Sequence, residues 1–420
     1  MEQSLRSEKG GKPALPEHPS YSPSGPGKKE KSNGNGSLPR LERVCGKKER
    51  SIRKAPSLLI TTSGRRSPEL HVRRADPDDE GDRAGIMRLW LDNLPHITRD
   101  ICLKRFEWLY RENPAGPALT WVATEGNEGG VIGCASVMPR QFVIEGERHL
   151  GGLAIDFAID RRYRSYGAAL RLQRAVSEQV WESGIGFLLA FPNSAARGVF
   201  KRMGYREVGR NWNGARLIRS FGKLRRHLRP IPLAATVGAG VDLLLLIQNR
   251  VSLRAAPKGC RVELLDEADA RWQQFWEGRS SSIRFGTVHD VEYLRWRHSQ
   301  PAVRSRMFAL FDEEGELRGY LSFTRQGDVL EVRDVQVSSE RWFGPLLDRF
   351  WQEMYRTKAL VINIGLVGTD TMIRRFQRAG FLTRSVEGWA GVLPGPTLER
   401  DLLEAIHGEA WYLGEADLDI

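Results

Sequence analysis

A chain of 420 residues can hold two ordinary domains plus tails. Its formal charge of +12 is local rather than spread: residues 1–70 carry 15 Lys and Arg against 7 Glu, a net +8. Arg216, Arg219, Lys223, Arg225, Arg226 and Arg229 form a second basic stretch with no acid among them, so the folded remainder is not strongly basic, which argues against nucleic-acid binding by the fold.

In chain order, residues 1–70 are a tail rich in Gly, Ser, Pro and Lys, which cannot bury enough apolar surface to order and is expected to be disordered. It has no long apolar core near its start and is not a secretory signal. Cys45, Cys102, Cys134 and Cys260 have no metal-ligand spacing, which points to a reducing cytoplasm and against both a disulfide framework and a zinc site. His96, His149, His289 and His298 likewise lack paired spacing, and no Gly-x-Ser-x-Gly or P-loop motif occurs. Trp108 and Tyr110 sit at helical spacing, as do Tyr293 and Trp296. Core packing is the default for them, and lining an acceptor cleft is the alternative.

The most informative stretch runs from Ile155-Asp156-Phe157-Ala158-Ile159 through Arg164-Ser165-Tyr166-Gly167-Ala168-Ala169. It reads as a short apolar strand, an Arg-x-x-Gly-x-Ala turn, and a helix without Gly or Pro until Gly184. Gly167 permits close backbone approach, and the helix start offers free N–H groups and a positive dipole end, a cradle for a pyrophosphate. An apolar strand, Gly186 to Phe191, then ends at Pro192-Asn193. A short helix from Ser194 to Met203 closes on Gly204-Tyr205. Asn193 and Ser194 suit helix capping or bonding to a ligand at that strand end.

This order of strand, Arg-x-x-Gly-x-Ala, helix, strand, Asn, short helix and Gly-aromatic pair resembles the GNAT superfamily of acetyl-CoA-dependent N-acetyltransferases, over roughly residues 71–210. The resemblance implies that the amides from Arg164 to Ala169 bind the coenzyme A pyrophosphate. It also implies that the pantetheine lies along the strand ending at Ile159, and that a backbone N–H near Phe157 to Ile159 meets the thioester oxygen. Asp156 lies where the family often keeps its base; its bland alternative is an ion pair with Arg140 or Arg161. The family commonly places a proton-donating Tyr four residues before the terminal Gly, and here that residue is Phe200. Either the thiolate leaves unaided, or a group such as Tyr205 or Ser194 helps, or this copy does not catalyse.

The chain repeats itself. Phe200 to Tyr205 recurs as Phe376 to Phe381, and Ile155 to Ile159 loosely as Arg333 to Val337. Ile132 to Ser136 recurs as Arg318 to Ser322, and Phe106 to Pro114 as Tyr293 to Pro301. In the second copy the turn reads Arg341-Trp-Phe-Gly344-Pro345-Leu346, where proline has no N–H to donate. That copy is read as a degenerate repeat without a competent coenzyme site. Between the copies, residues 231–247 are apolar but carry Asp242. This favours an interdomain helix over a membrane span and leaves interfacial contact through 216–247 open.

The expected architecture is α/β of the α+β type, with two tandem GNAT-like mixed-sheet domains and flanking helices. The tail occupies 1–70, the acyl-CoA-binding domain 71–215, a basic and apolar helical linker 216–258, the second domain 259–400 and an acidic C-terminal tail 401–420. The expected activity, which the resemblance implies, is direct acyl transfer in a ternary complex from acetyl-CoA or another acyl-CoA to an amine, without a metal, in the cytoplasm or peripheral to the inner face of a membrane. The alternative is a non-catalytic acyl-CoA-binding or scaffold protein.

Overall fold

The computed structural model describes residues 70–93, 98–126, 129–220, 231–252, 255–301, 303–386, 388–407 and 411–418, with backbone alone at 165–166, 231–237 and 249–252. The expected disordered tail lies outside the described residues, apart from Leu70.

The first half runs β1 (Leu70–Arg74), α1 (Glu80–Asn93), α2 (Arg99–Tyr110), β2 (Leu119–Glu125), β3 (Val131–Ile144) and β4 (Glu147–Ile159). A 3-10 turn (Arg161–Tyr166) then leads to α3 (Ala168–Gln179), β5 (Phe187–Ala190), α4 (Ser194–Arg202) and β6 (Arg206–Leu217). Helix α5 (Ile231–Ser252) follows. The second half repeats the order with β7 (Arg261–Leu265), α6 (Ala270–Ser280), β8 (Phe285–Thr287), α7 (Val291–His298), β9 (Arg306–Phe311), β10 (Leu317–Gln326) and β11 (Val329–Val337). It continues through α8 (Phe343–Arg356), β12 (Val361–Gly368), α9 (Asp370–Arg378), β13 (Leu382–Val386) and β14 (Ala390–Pro394), and ends with α10 (Glu399–His407) and β15 (Tyr412–Gly414).

Local chemistry accounts for the repeat. Ala168, Leu172 and Val176 recur every fourth residue on α3 and are buried against the first sheet. On α8 the corresponding stripe is Phe343, Leu346, Leu347, Phe350, Trp351 and Met354. Asn193 accepts from the Ala196 amide (3.0 Å) to start α4, and Thr369 accepts from Met372 (3.5 Å) to start α9.

The sheet order is β1-β2-β3-β4-β5-β14-β6-β12-β11-β10-β9-β7. Each half gives one strand to the other. The strand β14 pairs antiparallel with β5, Gly391 opposite Ala190, while β6 pairs antiparallel with β12, Leu217 opposite Val361. The halves also meet at Trp108 and Trp296, whose rings stack at 4.5 Å and 11°. Each indole N–H donates to the other residue's carbonyl, at 2.9 and 3.0 Å. Both tryptophans are buried, so of the two readings given them, core packing is the one found.

One expectation changes. Residues 401–420 were read as an acidic tail. Instead Leu402, Trp411, Leu413 and Leu418 are buried, and β15 pairs with β12, Tyr412 opposite Gly368. The apolar side chains of this segment outweigh its acids. In α5, Asp242 turns inward and its Oδ1 accepts from the Ser220 amide (2.6 Å) and hydroxyl (2.7 Å). Leu243, Leu244, Leu246 and Ile247 are left exposed. No helix among the described residues is long and apolar enough to cross a membrane.

Candidate active site

Strands β4 and β5 run parallel for three pairs only, from Gly152–Leu188 to Ala154–Ala190. Beyond Ala154, β4 continues to Ile159 without β5, so the two strands splay. Opposite β3 the register slips between Cys134–Ala158 and Ser136–Ile155, which sets Asp156 and Phe157 against the single residue Ala135. This is a β-bulge, and it takes backbone groups of 156–157 out of the ladder at the mouth of the splay. Asp156 has φ +52, the left-handed region that Asp tolerates better than most residues. Backbone strain of this kind gathers at functional sites.

The Asp156 carboxylate is nearly buried, with Arg105 Nη1 at 3.1 Å and the Tyr110 hydroxyl at 3.4 Å from Oδ2. Tyr110 also lies 2.6 Å from Ser136 Oγ, which lies 2.8 Å from Thr120 Oγ1. Burial, with the charge of Asp156, pushes the Tyr110 phenol well above its ordinary pKa. The Cys134 thiol donates to the Asp156 carbonyl (3.2 Å), and burial raises its pKa too. The partner of Asp156 is thus Arg105 on α2, rather than Arg140 or Arg161. Arg140 is taken by Asp417 at 2.7 Å.

The turn beyond β4 has the expected geometry. Gly167 has φ +70, and a Cβ built on it would have open space within 4 Å, so its conformation and the access above it favour glycine. Ala168 and Ala169 follow in the first turn of α3, whose leading amides have no intrahelical acceptor. Arg164 binds back into the fold, donating to the Ile159 carbonyl (3.2 Å) and to Asn93 Oδ1 (2.7 Å). The side chains of Ser165 and Tyr166 lie outside the described residues. Phe157 packs edge-on to Phe200 at 5.7 Å, and Phe200 edge-on to Tyr205 at 5.1 Å. The Tyr205 hydroxyl is buried and has no hydrogen-bond partner among the described residues, and burial raises its pKa. Asn193 uses its side-chain oxygen as the α4 cap, and Ser194 opens that helix.

The corresponding groove in the second half is built differently. A register slip lies at Arg333, the counterpart of Ile155, but the turn enters α8 at Phe343, and Gly344 does not take a positive φ. Pro345 and Leu346 are buried in the helix. The splay between β11 and β12 is filled by β15. The Tyr412 hydroxyl accepts from the Val335 amide (3.1 Å) and donates to the Val335 carbonyl. Val335 is the counterpart of Phe157, so the chain's own C-terminal strand takes the backbone groups left open in the first half. Asp334, the counterpart of Asp156, contacts His289 Nδ1 at 2.9 Å rather than facing a groove.

Sequence reading missed the grouping of His289, Asp334 and Asp417, whose ligand atoms lie within 4.8 Å of one another. That is metal-ligand spacing in space but not in sequence. The Arg140 guanidinium on Asp417 already supplies a cation, so the cluster reads as an ion network. Burial alone would lower the His289 pKa, but Asp417 and Asp334 outweigh it and raise the value to about 9. Asp417, despite burial, is held well below the usual carboxylate range by His289 and Arg140.

Residues 83–205 match the model of the acetyltransferase (GNAT) family. No curated protein matches the chain. Among solved structures, a probable N-acyltransferase from Enterococcus faecalis is 11% identical with TM-score 0.57, over 78% of this chain and 73% of that one. A GCN5-related N-acetyltransferase from Anabaena variabilis is 13% identical with TM-score 0.54, over 77% and 72%. Another from Kribbella flavida is 12% identical with TM-score 0.53, over 78% and 72%. Residues 83–205 are thus similar to the acetyltransferase (GNAT) family, and the solved structures, at these low identities, share their fold with most of the chain.

Proposed function

We propose that the first half transfers an acyl group, acetyl in the simplest case, from its coenzyme A thioester directly to an amine in a ternary complex. The observation that carries this reading is the bulge at Asp156–Phe157, which opens into the splay in line with the Gly167 turn. The α3 amides at Gly167, Ala168 and Ala169 receive the pyrophosphate, with those of Arg164, Ser165 and Tyr166 leading into the turn. Phe157 and Ile159 offer backbone groups to the pantetheine, and the bulge N–H polarises the thioester carbonyl. Asn193 and Ser194 border the far side of the splay.

Asp156 is the base in this proposal. It takes a proton from the ammonium acceptor, and the free amine attacks the thioester carbon, displacing the thiolate. Arg105 and Tyr110 position its carboxylate. Phe200 has no proton to give. Tyr205, whose orphaned phenol lies in the same aromatic cluster, is the donor we assign to the departing thiolate; its raised pKa keeps it protonated. No metal takes part. The first domain is taken as 71–215 and the second as beginning at 259 and running on through β15, with the exchanged strands β6 and β14 crossing between them. The second half contributes no coenzyme site.

We place the enzyme in the cytoplasm, with peripheral contact to an anionic membrane through the region 216–247. The outward Leu243, Leu244, Leu246 and Ile247 and the basic residues that precede them in sequence support this. The test of the central reading is calorimetric titration of acetyl-CoA into the protein and into Gly167→Pro. About one equivalent bound, and lost in the variant, supports it. Binding that survives Gly167→Pro but is lost on changing Gly344 would overturn the assignment of the site to the first half.

A further inference from the structure

The C-terminal strand fills only part of the second half's groove. Beside Val335, Gln336 and Val337 a cavity of about 370 Å³ stays open, bounded by α6, α9 and the segment around β8. Three arginines reach it, and their charges are unevenly balanced. Arg284 is paired with Glu145 at 2.6 Å. Arg279 donates to Gln336 Oε1, a neutral acceptor. Arg375 lies over the Phe343 ring at 4.1 Å, and Glu340 is 3.7 Å from its Nε. That glutamate is 85% exposed, so water screens it strongly. Burial lowers the Arg375 pKa; Glu340 and Tyr412 oppose this, while the charge of Arg279 adds to it. Two guanidinium groups therefore line one hollow, with one solvent-washed carboxylate beside Arg375. Like charges gathered in a partly buried cleft repel unless an anion joins them.

We propose that this cavity binds a small organic oxyanion, its acidic group received by Arg279 and Arg375 and its body lying against Phe343 and Met372. A guanidinium fork matches the planar oxygen pair of a carboxylate or two oxygens of a phosphate. At about 370 Å³ the space suits a small metabolite and is at the lower end of the usual range for ligand pockets. It is distinct from the coenzyme cradle at Gly167. The ligand is not a coenzyme A thioester, because Pro345 offers no N–H to its pyrophosphate and Tyr412 already takes the Val335 backbone groups that its pantetheine would need.

The test is calorimetric titration of the full chain carrying Gly167→Pro, which removes the first-half cradle, with inorganic pyrophosphate and separately with benzoate. About one equivalent of one probe should bind. Arg375→Gln and Arg279→Gln should each weaken it about ten-fold or more, as expected for loss of a charge-assisted fork. Stronger binding of pyrophosphate marks a phosphate ester as the ligand class, and stronger binding of benzoate a carboxylate. Thermal melts without ligand verify folding. Should Arg375→Gln not fold, Arg279→Gln at the end of α6 decides. Absence of binding by either probe, or binding that survives both arginine substitutions, overturns the proposal.

Discussion

Deprotonating His289 should loosen the whole molecule, because this imidazole joins four elements. Asp334 of β11 contacts its Nδ1 at 2.9 Å, Asp417 of the C-terminal segment its Nε2 at 2.8 Å, and Thr287 its Nε2 at 2.7 Å. Tyr320, Tyr293 and Trp276 surround the ring, while Arg140 of β3 binds Asp417 from the other side. Its folded pKa of about 9 stands above the ordinary 6.5. A raised value means that the imidazolium stabilises the fold fully below pH 6.5 and that this contribution is lost as pH rises through 9. The span corresponds to on the order of 3 kcal/mol. Urea unfolding measured between about pH 6 and about pH 9.5 should record a loss of that order, with a shallower slope in His289→Gln. Nitrogen-edited NMR should find the ring still protonated near pH 8. Equal slopes for the two proteins, or a ring neutral at pH 7, would refute the reasoning.

The reacting groups offer a second set of outcomes. Asp156→Asn should lower kcat about 100-fold or more while acetyl-CoA binds within about two-fold of wild type, as read by stopped-flow and calorimetry. Tyr205→Phe should lower kcat, with the deficit shrinking for thioesters of more acidic thiols; an undiminished rate would show that the thiolate leaves unaided. Trp108→Ala should destabilise by about 3–5 kcal/mol, and the double change with Trp296→Ala by less than the sum of the two. Strict additivity would mean that the stacked pair is not energetically coupled. Leu243→Ser with Leu244→Ser should reduce co-sedimentation with phosphatidylserine vesicles, and equal sedimentation would discount α5 as a membrane face.

What could be read in the sequence was what depends on near neighbours. Gly167 announces a turn where the backbone can be approached closely, and Asn193 announces a helix start because its side chain caps within three residues. The repeat was legible because short segments such as Phe200 to Tyr205 and Phe376 to Phe381 keep the same local pattern in the same order. The partners of these pieces were not legible. Nothing local to Asp156 tells of Arg105 on α2, and the local pattern of β6 says strand without naming β12 as its neighbour. Residues 401–420 misled through their acids, although Trp411, Leu413 and Leu418 already carried an apolar signal.

The exchange of β6 and β14 makes the two halves one obligate object. Together with the mutual Trp108–Trp296 bonds it has the character of an isologous dimer contact, made here within one polypeptide. A half expressed alone would lack the strand its partner supplies and would present a bare sheet edge, the usual template for aggregation. Co-expressed fragments divided within α5 should instead complement each other. Joining them in one chain raises their effective concentration, so assembly of the active unit does not depend on how much protein the cell makes.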